Sequence, residues 1–232
     1  ERVSRYVVGL ARKVALHVVQ HGVEVCVFES AAEIKPLGVG INLLPNAVRE
    51  LCELGLQPEV DKIAIRTRAM NYYNRRGKLV ISSPCGEYAG YRWPQYSLHR
   101  GELQLMLLRV LRERAGDDAV HCGHRLADFE QDETGVRAHF ADPLGDQSLD
   151  SARGDVLVGT DGIHSTVRAK LRPGEGQPVY SGLVSFRGAV VADPYLDGET
   201  MIIVGDVDRK LVSYPISETL RQQGKSLINW LV

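Results

Sequence analysis

The stretch Asp155-Val-Leu-Val-Gly-Thr-Asp-Gly-Ile-His-Ser-Thr-Val-Arg168 restricts the fold more than any other part of the chain. Val156 to Val158 predict a buried strand, Gly159 to Gly162 an abrupt turn, and a helix opens near His164 or Ser165. A strand that delivers an acid and a glycine to the mouth of a helix is how α/β proteins build a nucleotide site. Gly162 lets a ligand approach the backbone, and Ser165 is placed to cap free amides at the helix start. Arg168 adds a fixed positive charge one turn into that helix. Plain strand–turn–helix packing explains the same glycines, so the pattern needs support from elsewhere in the chain.

Upstream, Gly9 to Gln20 predict a helix stopped by Gly22, and Val23 to Phe28 a buried strand ending at Glu29. The strand that should precede this helix is only a stub, at Val7 and Val8, and the G-x-G-x-x-G of a dinucleotide fold is missing. Gly9 is the only glycine in that stretch, and Arg12 and Lys13 suit a helix with no phosphate cradle before it. Glu29 stands 20 positions after Gly9, where an acid accepts hydrogen bonds from a ribose; an ordinary solvated carboxylate is the alternative. Gly38-Val-Gly40 has Leu43 in the third glycine position and no strand leading into it, so it reads as a flexible loop. Pro45 begins a helix running to about Leu54, with Gly55 as its stop. Arg68 to Tyr73 and Leu79 to Ser82 flank a hairpin turn at Asn74 to Gly77. An amphipathic helix covers Arg100 to Arg114, and Val120 to Phe140 suggest a β-meander. From Gly182 onward the pattern is of strands: Leu183 to Val190, Met201 to Val204, Leu211 to Tyr214 and Leu227 to Leu231.

Three stretches, in this order, resemble one family: Leu37-Gly-Val-Gly-Ile-Asn-Leu-Leu-Pro-Asn-Ala47, Tyr96-Ser-Leu-His-Arg-Gly-Glu-Leu103 and the Asp155 to Arg168 segment. They are similar to motifs of the class A FAD-dependent aromatic monooxygenases, the p-hydroxybenzoate hydroxylase-like family. The likeness runs from about Gly22 to the last residue, and Tyr214-Pro-Ile-Ser217 with Gly224 to Trp230 resembles the phenazine-carboxylate monooxygenase branch. The resemblance implies an α/β fold: a Rossmann-like FAD-binding domain over residues 1–178, including a β-meander, then the start of a β-rich substrate domain over 179–232.

The same resemblance implies FAD as cofactor and NAD(P)H as co-substrate. It places Gly9 at the end of a degenerate glycine run, Gly38 and Gly40 beside the flavin ring, and Arg100 in contact with the flavin. Asp161 and Gly162 fall to the nucleotide portion, and Arg168 to that region and to the approach of the reduced pyridine nucleotide. For Asp161 and Arg168 the plainer alternatives are a helix-capping network and a surface charge. An arginine opening a helix is mildly opposed by the helix dipole, which for Arg100 hints at a nearby anion. Tyr214 and Trp230 either line a flat aromatic pocket or belong to the sheet core, and Arg187 either faces a substrate carboxylate or points outward.

Composition narrows the partners. Lys plus Arg number 28 against 29 Asp plus Glu, so nothing points to nucleic acid or an acidic membrane. No apolar run approaches the ~20 residues that span a bilayer. Cys26, Cys52, Cys85 and Cys122 are far apart and read as reduced thiols of a cytoplasmic protein. His121-Cys-Gly-His124 lacks a second ligand pair, so it reads as a solvated strand edge and no metal is expected there. The chain stops within a predicted strand and before a further family motif that binds the flavin's ribityl and pyrophosphate, so a fragment is expected. The expected activity is hydroxylation of a small aromatic substrate with NAD(P)H and oxygen. The alternatives are a truncated, flavin-free homologue acting as an interaction module or inactive fragment, and an FAD-linked reductase of the same fold.

Overall fold

The computed structural model describes residues 4–9, 12–206 and 209–232, with residues 4–9 and 12 by their backbone alone. The chain begins with β1 (Ser4–Gly9), α1 (Arg12–Gln20) and β2 (Glu24–Glu29). β1 is a full six-residue strand, longer than the Val7–Val8 stub that the sequence suggests. Next come β3 (Gly40–Leu43), α2 (Pro45–Glu53), α3 (Gln57–Ile63) and β4 (Ile65–Arg66). The hairpin is β5 (Ala69–Tyr73) with β6 (Leu79–Pro84), followed by β7 (Tyr96–His99) and the long α4 (Arg100–Ala115).

A short β8 (Val120–Cys122) leads to β9 (Arg125–Asp132), β10 (Gly135–Ala141) and β11 (Ser148–Gly154). Then follow β12 (Val156–Thr160) and α5 (Thr166–Leu171). The last strands are β13 (Arg187–Ala192), β14 (Met201–Gly205), β15 (Lys210–Pro215) and β16 (Ser226–Leu231), with the one-turn α6 (Glu218–Gln222) between the final two. The sequence pattern misses α3 and α6, which are too short for periodicity to register. Their local signals are Pro58 in the first turn of α3 and Ser217, whose hydroxyl accepts from the Leu220 amide at 3.3 Å.

Two compact units result, each from two stretches: Glu1–Lys35 with Leu105–Ser181, and Pro36–Gln104 with Gly182–Val232. The chain crosses between them three times, after Lys35, Gln104 and Ser181, and the last crossing lies three residues beyond the boundary expected at 178. The first two fall where composition does not change, so residues 36–104 group with the late strands and not with residues 1–35.

The first unit holds a four-stranded sheet in the order β12-β1-β2-β8, with every neighbouring pair parallel. Parallel strands need a crossover, and α1 supplies it between β1 and β2, burying Ala15 and Leu16 completely. The meander is three-stranded, β11-β10-β9; β8, expected within it, instead pairs with β2 at the edge of the parallel sheet. The core of this unit joins Phe28, Leu126, Ala138 and Phe140, with Phe28 and Phe140 stacked at 4.2 Å. His121 stacks on the same Phe28 at 4.8 Å, and His124 meets Phe140 edge-on at 5.8 Å. The two histidines thus extend an aromatic cluster, where the sequence suggests only a solvated strand edge.

The second unit holds a six-stranded sheet, β13-β16-β15-β14-β5-β6, and a three-stranded sheet, β3-β7-β4. Tyr96, completely buried on β7, donates to Asp61 at 2.5 Å, and Arg66 grips the same carboxylate at 2.8 and 2.9 Å. Burial opposes ionisation of Asp61, but these donors outweigh it and hold the carboxyl below its usual range.

Burial, reinforced by the nearby His124, lowers the pKa of His121. The folded state therefore prefers neutral His121, and its contribution is complete above the unfolded value of about 6.5. It is lost as pH falls through and below that value. Chemical denaturation between pH 7.5 and 5.5 is expected to show declining stability. In His121→Phe, which keeps the stack without the charge, that decline is shallower; an equal slope contradicts the assignment.

Candidate functional site

In an open parallel sheet, ligands bind outside the carboxyl ends of the strands, where the strand order reverses. Here the chain-order sequence of strands across the sheet is third, second, first, fourth, so the reversal lies between β1 and β12. The register fixes which residues stand there. Gly9 is level with Thr160, and Val8 with Phe28, so Glu29 follows one step on at the end of β2. Gly9, Glu29 and the Thr160-Asp-Gly162 turn, widely separated in sequence, thus share one edge of one sheet. Leu10 and Ala11, which follow Gly9, lie outside the described residues.

The turn after β12 is built around Asp161. One carboxylate oxygen accepts from the Ser165 hydroxyl at 2.6 Å, and the other from the amides of Thr166 at 2.7 Å and Val167 at 3.3 Å. Ser165, the N-cap of α5, accepts from the Arg168 amide at 2.9 Å. Together they satisfy orphan amides at the helix start. Asp161 therefore shapes the turn, the capping alternative that the sequence left open. Gly162 has φ +81°, in the left-handed region, and a side chain added there would meet open space. The turn exposes its backbone as a close approach requires. Thr160, which the sequence reading passed over, carries a buried hydroxyl oxygen without a hydrogen-bond partner among the described residues. A polar threonine closing the apolar run of β12 was the available signal. An orphaned polar atom and an open glycine at the sheet's switch point fit a polar nucleotide ligand.

Glu29 is half-buried, and Oε1 accepts from the Ala31 amide at 3.1 Å and the Ser30 hydroxyl at 3.3 Å, a local turn that fixes its direction. Arg168 is directed elsewhere: it donates to the Ile163 carbonyl and pairs with Glu175 at 3.0 Å. It lines a recess of about 260 Å³ together with His164, Arg172 and Gln177. Two larger recesses, about 540 and 550 Å³, open at the starts of β2 and β12. That is the opposite end of the strands, so strand topology rather than volume marks the site.

The second unit carries the other predicted residues. Gly38-Val-Gly40 is only partly a loop, because Gly40 begins β3 and pairs with His99 of β7. The Arg100 amide donates to the Val39 carbonyl at 2.9 Å. The exposed Arg100 guanidinium reaches the Leu37 carbonyl at 3.5 Å, and a side chain on Gly38 would come within 2.7 Å of its Nε. Glycine at 38, with φ +110°, is what lets the arginine lie across the loop. Gly101 is equally tight, since an added carbon would stand 2.5 Å from the Pro36 carbonyl carbon.

Tyr214 and Trp230 are not brought together. Tyr214 is level with Asn229 and Ser213 with Trp230, so the alternation of a strand sends the two aromatic rings to opposite faces of the six-stranded sheet. One flat pocket cannot use both. Tyr214 joins the core with Met201 and Ile216, and burial raises the pKa of its phenol against the opposing charge of Arg187. Trp230 covers Gly188, where an added carbon would meet its ring at 2.7 Å. The register puts Arg187 and Asn229 on the face of Tyr214. Asn229 was also missed; the signal was a lone amide inside the apolar run Leu227-Ile-Asn-Trp-Leu231.

A family model described as an FAD binding domain matches residues 9–208. The chain is 43% identical over 226 residues to the phenazine 1,6-dicarboxylic acid hydroxylase of Lysobacter antibioticus, covering 96% of this chain and 55% of that protein. It is 31% identical over 218 residues to an FAD-dependent urate hydroxylase of Mycolicibacterium vanbaalenii, covering 90% and 51%. A variant of Klebsiella pneumoniae HpxO, solved with FAD, superposes with a TM-score of 0.77 at 25% identity over 100% of this chain and 57% of that one. The p-nitrophenol 4-monooxygenase of Pseudomonas putida shares the fold, with a TM-score of 0.75 at 20% identity over 98% and 57%. The chain spans about half the length of the curated relatives it matches.

Replacing Asp161 by Ala removes three hydrogen bonds at the start of a helix only six residues long. A loss of about 1–2 kcal/mol is expected in urea denaturation, with faster amide exchange at Thr166 and Val167. Unchanged exchange at those amides contradicts the capping role.

Proposed function

This chain belongs to the FAD-binding domain family, and on that premise we propose that it is the flavin-binding portion of an aromatic hydroxylase using NAD(P)H and oxygen. The carrying observation is the shared carboxyl edge of β1, β2 and β12, with Gly9, Glu29, Thr160 and Gly162 at the switch point. Glu29 receives the ribose hydroxyls, and the open backbone at Gly162 takes the nucleotide's phosphate side. Asp161 contributes by holding that turn in shape. In the second unit, Arg100 and the Gly38–Gly40 segment are assigned the flavin end. Arg168 is paired with Glu175, and its assignment to the pyridine nucleotide's approach rests on the family likeness.

When bound, FAD supplies the redox chemistry, carrying reducing equivalents from NAD(P)H to oxygen. The residues of this chain bind, orient and exclude water. We assign the substrate to the face of the six-stranded sheet that carries Tyr214, Asn229 and Arg187. Tyr214 and Asn229 are buried there against Gly40, so recognition falls to the exposed Arg187 guanidinium on that face, which suits a substrate carboxylate. The name of the Lysobacter relative, a hydroxylase of a phenazine dicarboxylic acid, agrees with such a substrate class. Trp230, on the other face, falls outside this assignment. Four free cysteines agree with a reducing compartment such as the cytoplasm.

Two substitutions test the cofactor assignments. Glu29→Gln and Arg100→Ala are each expected to weaken FAD binding about tenfold, or about 1.4 kcal/mol, with little change in thermal stability because both side chains reach solvent. Equal affinity in the parent and both variants, measured by quenching of flavin fluorescence, removes these roles. NAD(P)H oxidation without oxygen incorporation into an aromatic carboxylate would instead indicate a reductase.

A further inference from the structure

We propose that Asn229 is a positioning residue for the glycine loop, its carboxamide oxygen holding the Gly40 amide and so fixing the backbone that carries Gly38 and Arg100. The proposal rests on the flavin assignment of that loop made above.

Gly40 and His99 face each other across β3 and β7, yet neither uses its amide in that ladder. The His99 amide donates to the Ile216 carbonyl at 3.0 Å. The Gly40 amide donates to Asn229 Oδ1 at 2.8 Å, across 189 positions of sequence. Both outward-facing amides of this pair are therefore taken by the strands of the six-stranded sheet and the residue beyond β15. Asn229 is 2% exposed, and its strand pairs with Ala189 on one side and Tyr214 on the other. An apolar residue would continue the run in β16, but it would leave the part-buried Gly40 amide without this acceptor.

The contact also explains glycine at 40. An added carbon would lie 2.6 Å from Tyr214 Cε2 and 2.8 Å from Asn229 Cγ, so only a bare backbone comes this close. One residue earlier, the Val39 carbonyl accepts the Arg100 amide at 2.9 Å. Gly38 then lies under the Arg100 guanidinium. A fixed Gly40 amide thus fixes, through two adjacent peptide units, the start of α4 and the arginine assigned to the flavin. Asn229 acts on the cofactor through this loop.

The test uses the full 232-residue chain, with amide hydrogen exchange at Gly40 and FAD affinity as separate readouts. Asn229→Leu removes the acceptor at similar volume, and Asn229→Asp retains an oxygen in its place. In the Leu variant, Gly40 exchange should rise at least about tenfold while amides of β13 to β15 stay unchanged, and FAD binding should weaken by about tenfold. The Asp variant should restore both toward the parent. Unchanged Gly40 exchange in the Leu variant overturns the proposal, as does faster exchange with undiminished FAD affinity. If the parent itself binds no FAD, the flavin reading of the loop fails, and with it the cofactor role of Asn229; a rise in Gly40 exchange would still report the clamp. Should the Leu variant not fold, the parent decides: a Gly40 amide exchanging as fast as an unpaired edge amide overturns the clamp, and a protected one supports it.

Discussion

Parallel pairing of β1 with both β2 and β12 is the constraint on which the candidate site depends. It joins the first residues of the chain to a strand some 150 positions later, and it sets Gly9, Glu29 and Thr160 at one level. No local signal could do this, because parallel strands must be connected by crossovers and their partners are chosen by the sheet. Once the register is set, the turn after β12 has one place to go. Asp161 and Ser165 then convert that turn into a closed cap, leaving the backbone at Gly162 open.

A second kind of constraint governs the other unit, where side chains are omitted so that backbones can approach. Gly38 lies under Arg100, Gly40 against Tyr214 and Asn229, Gly101 against Pro36 and Gly188 under Trp230. Each position tolerates no added carbon without displacing a neighbour. The buried hydroxyls of Thr67 and Ser97, 2.7 Å apart, continue to Asn42 at 2.6 Å, adding polar order to the three-stranded sheet. Since Ser97 donates its single proton to Asn42, Thr67 is the donor in the first bond.

Much of this was legible in the sequence where the signal is local. The strand, turn and cap of Asp155 to Arg168, the helix at Pro45 and the hairpin around Gly77 follow from residue type and spacing, and they form close to where the pattern puts them. What was not legible is what depends on partners. β8 reads as part of the meander because its alternation is the same whichever sheet it joins. Residues 36–104 read as nucleotide-binding because composition does not change at Pro36. Tyr214 and Trp230 look like one aromatic pair until β15 and β16 are placed side by side and their alternation separates them. The family likeness supplied the cofactor, which no spacing in this chain discloses, since the glycine cradle is reduced to Gly9.

The proposed binding of FAD at the carboxyl edge of the parallel sheet is tested most directly by the visible absorption spectrum of the purified chain. After incubation with FAD and desalting, a retained flavin band with shifted fine structure is the predicted result, reporting an isoalloxazine held in a protein environment. A colourless protein, still folded by circular dichroism, would contradict FAD binding at that edge.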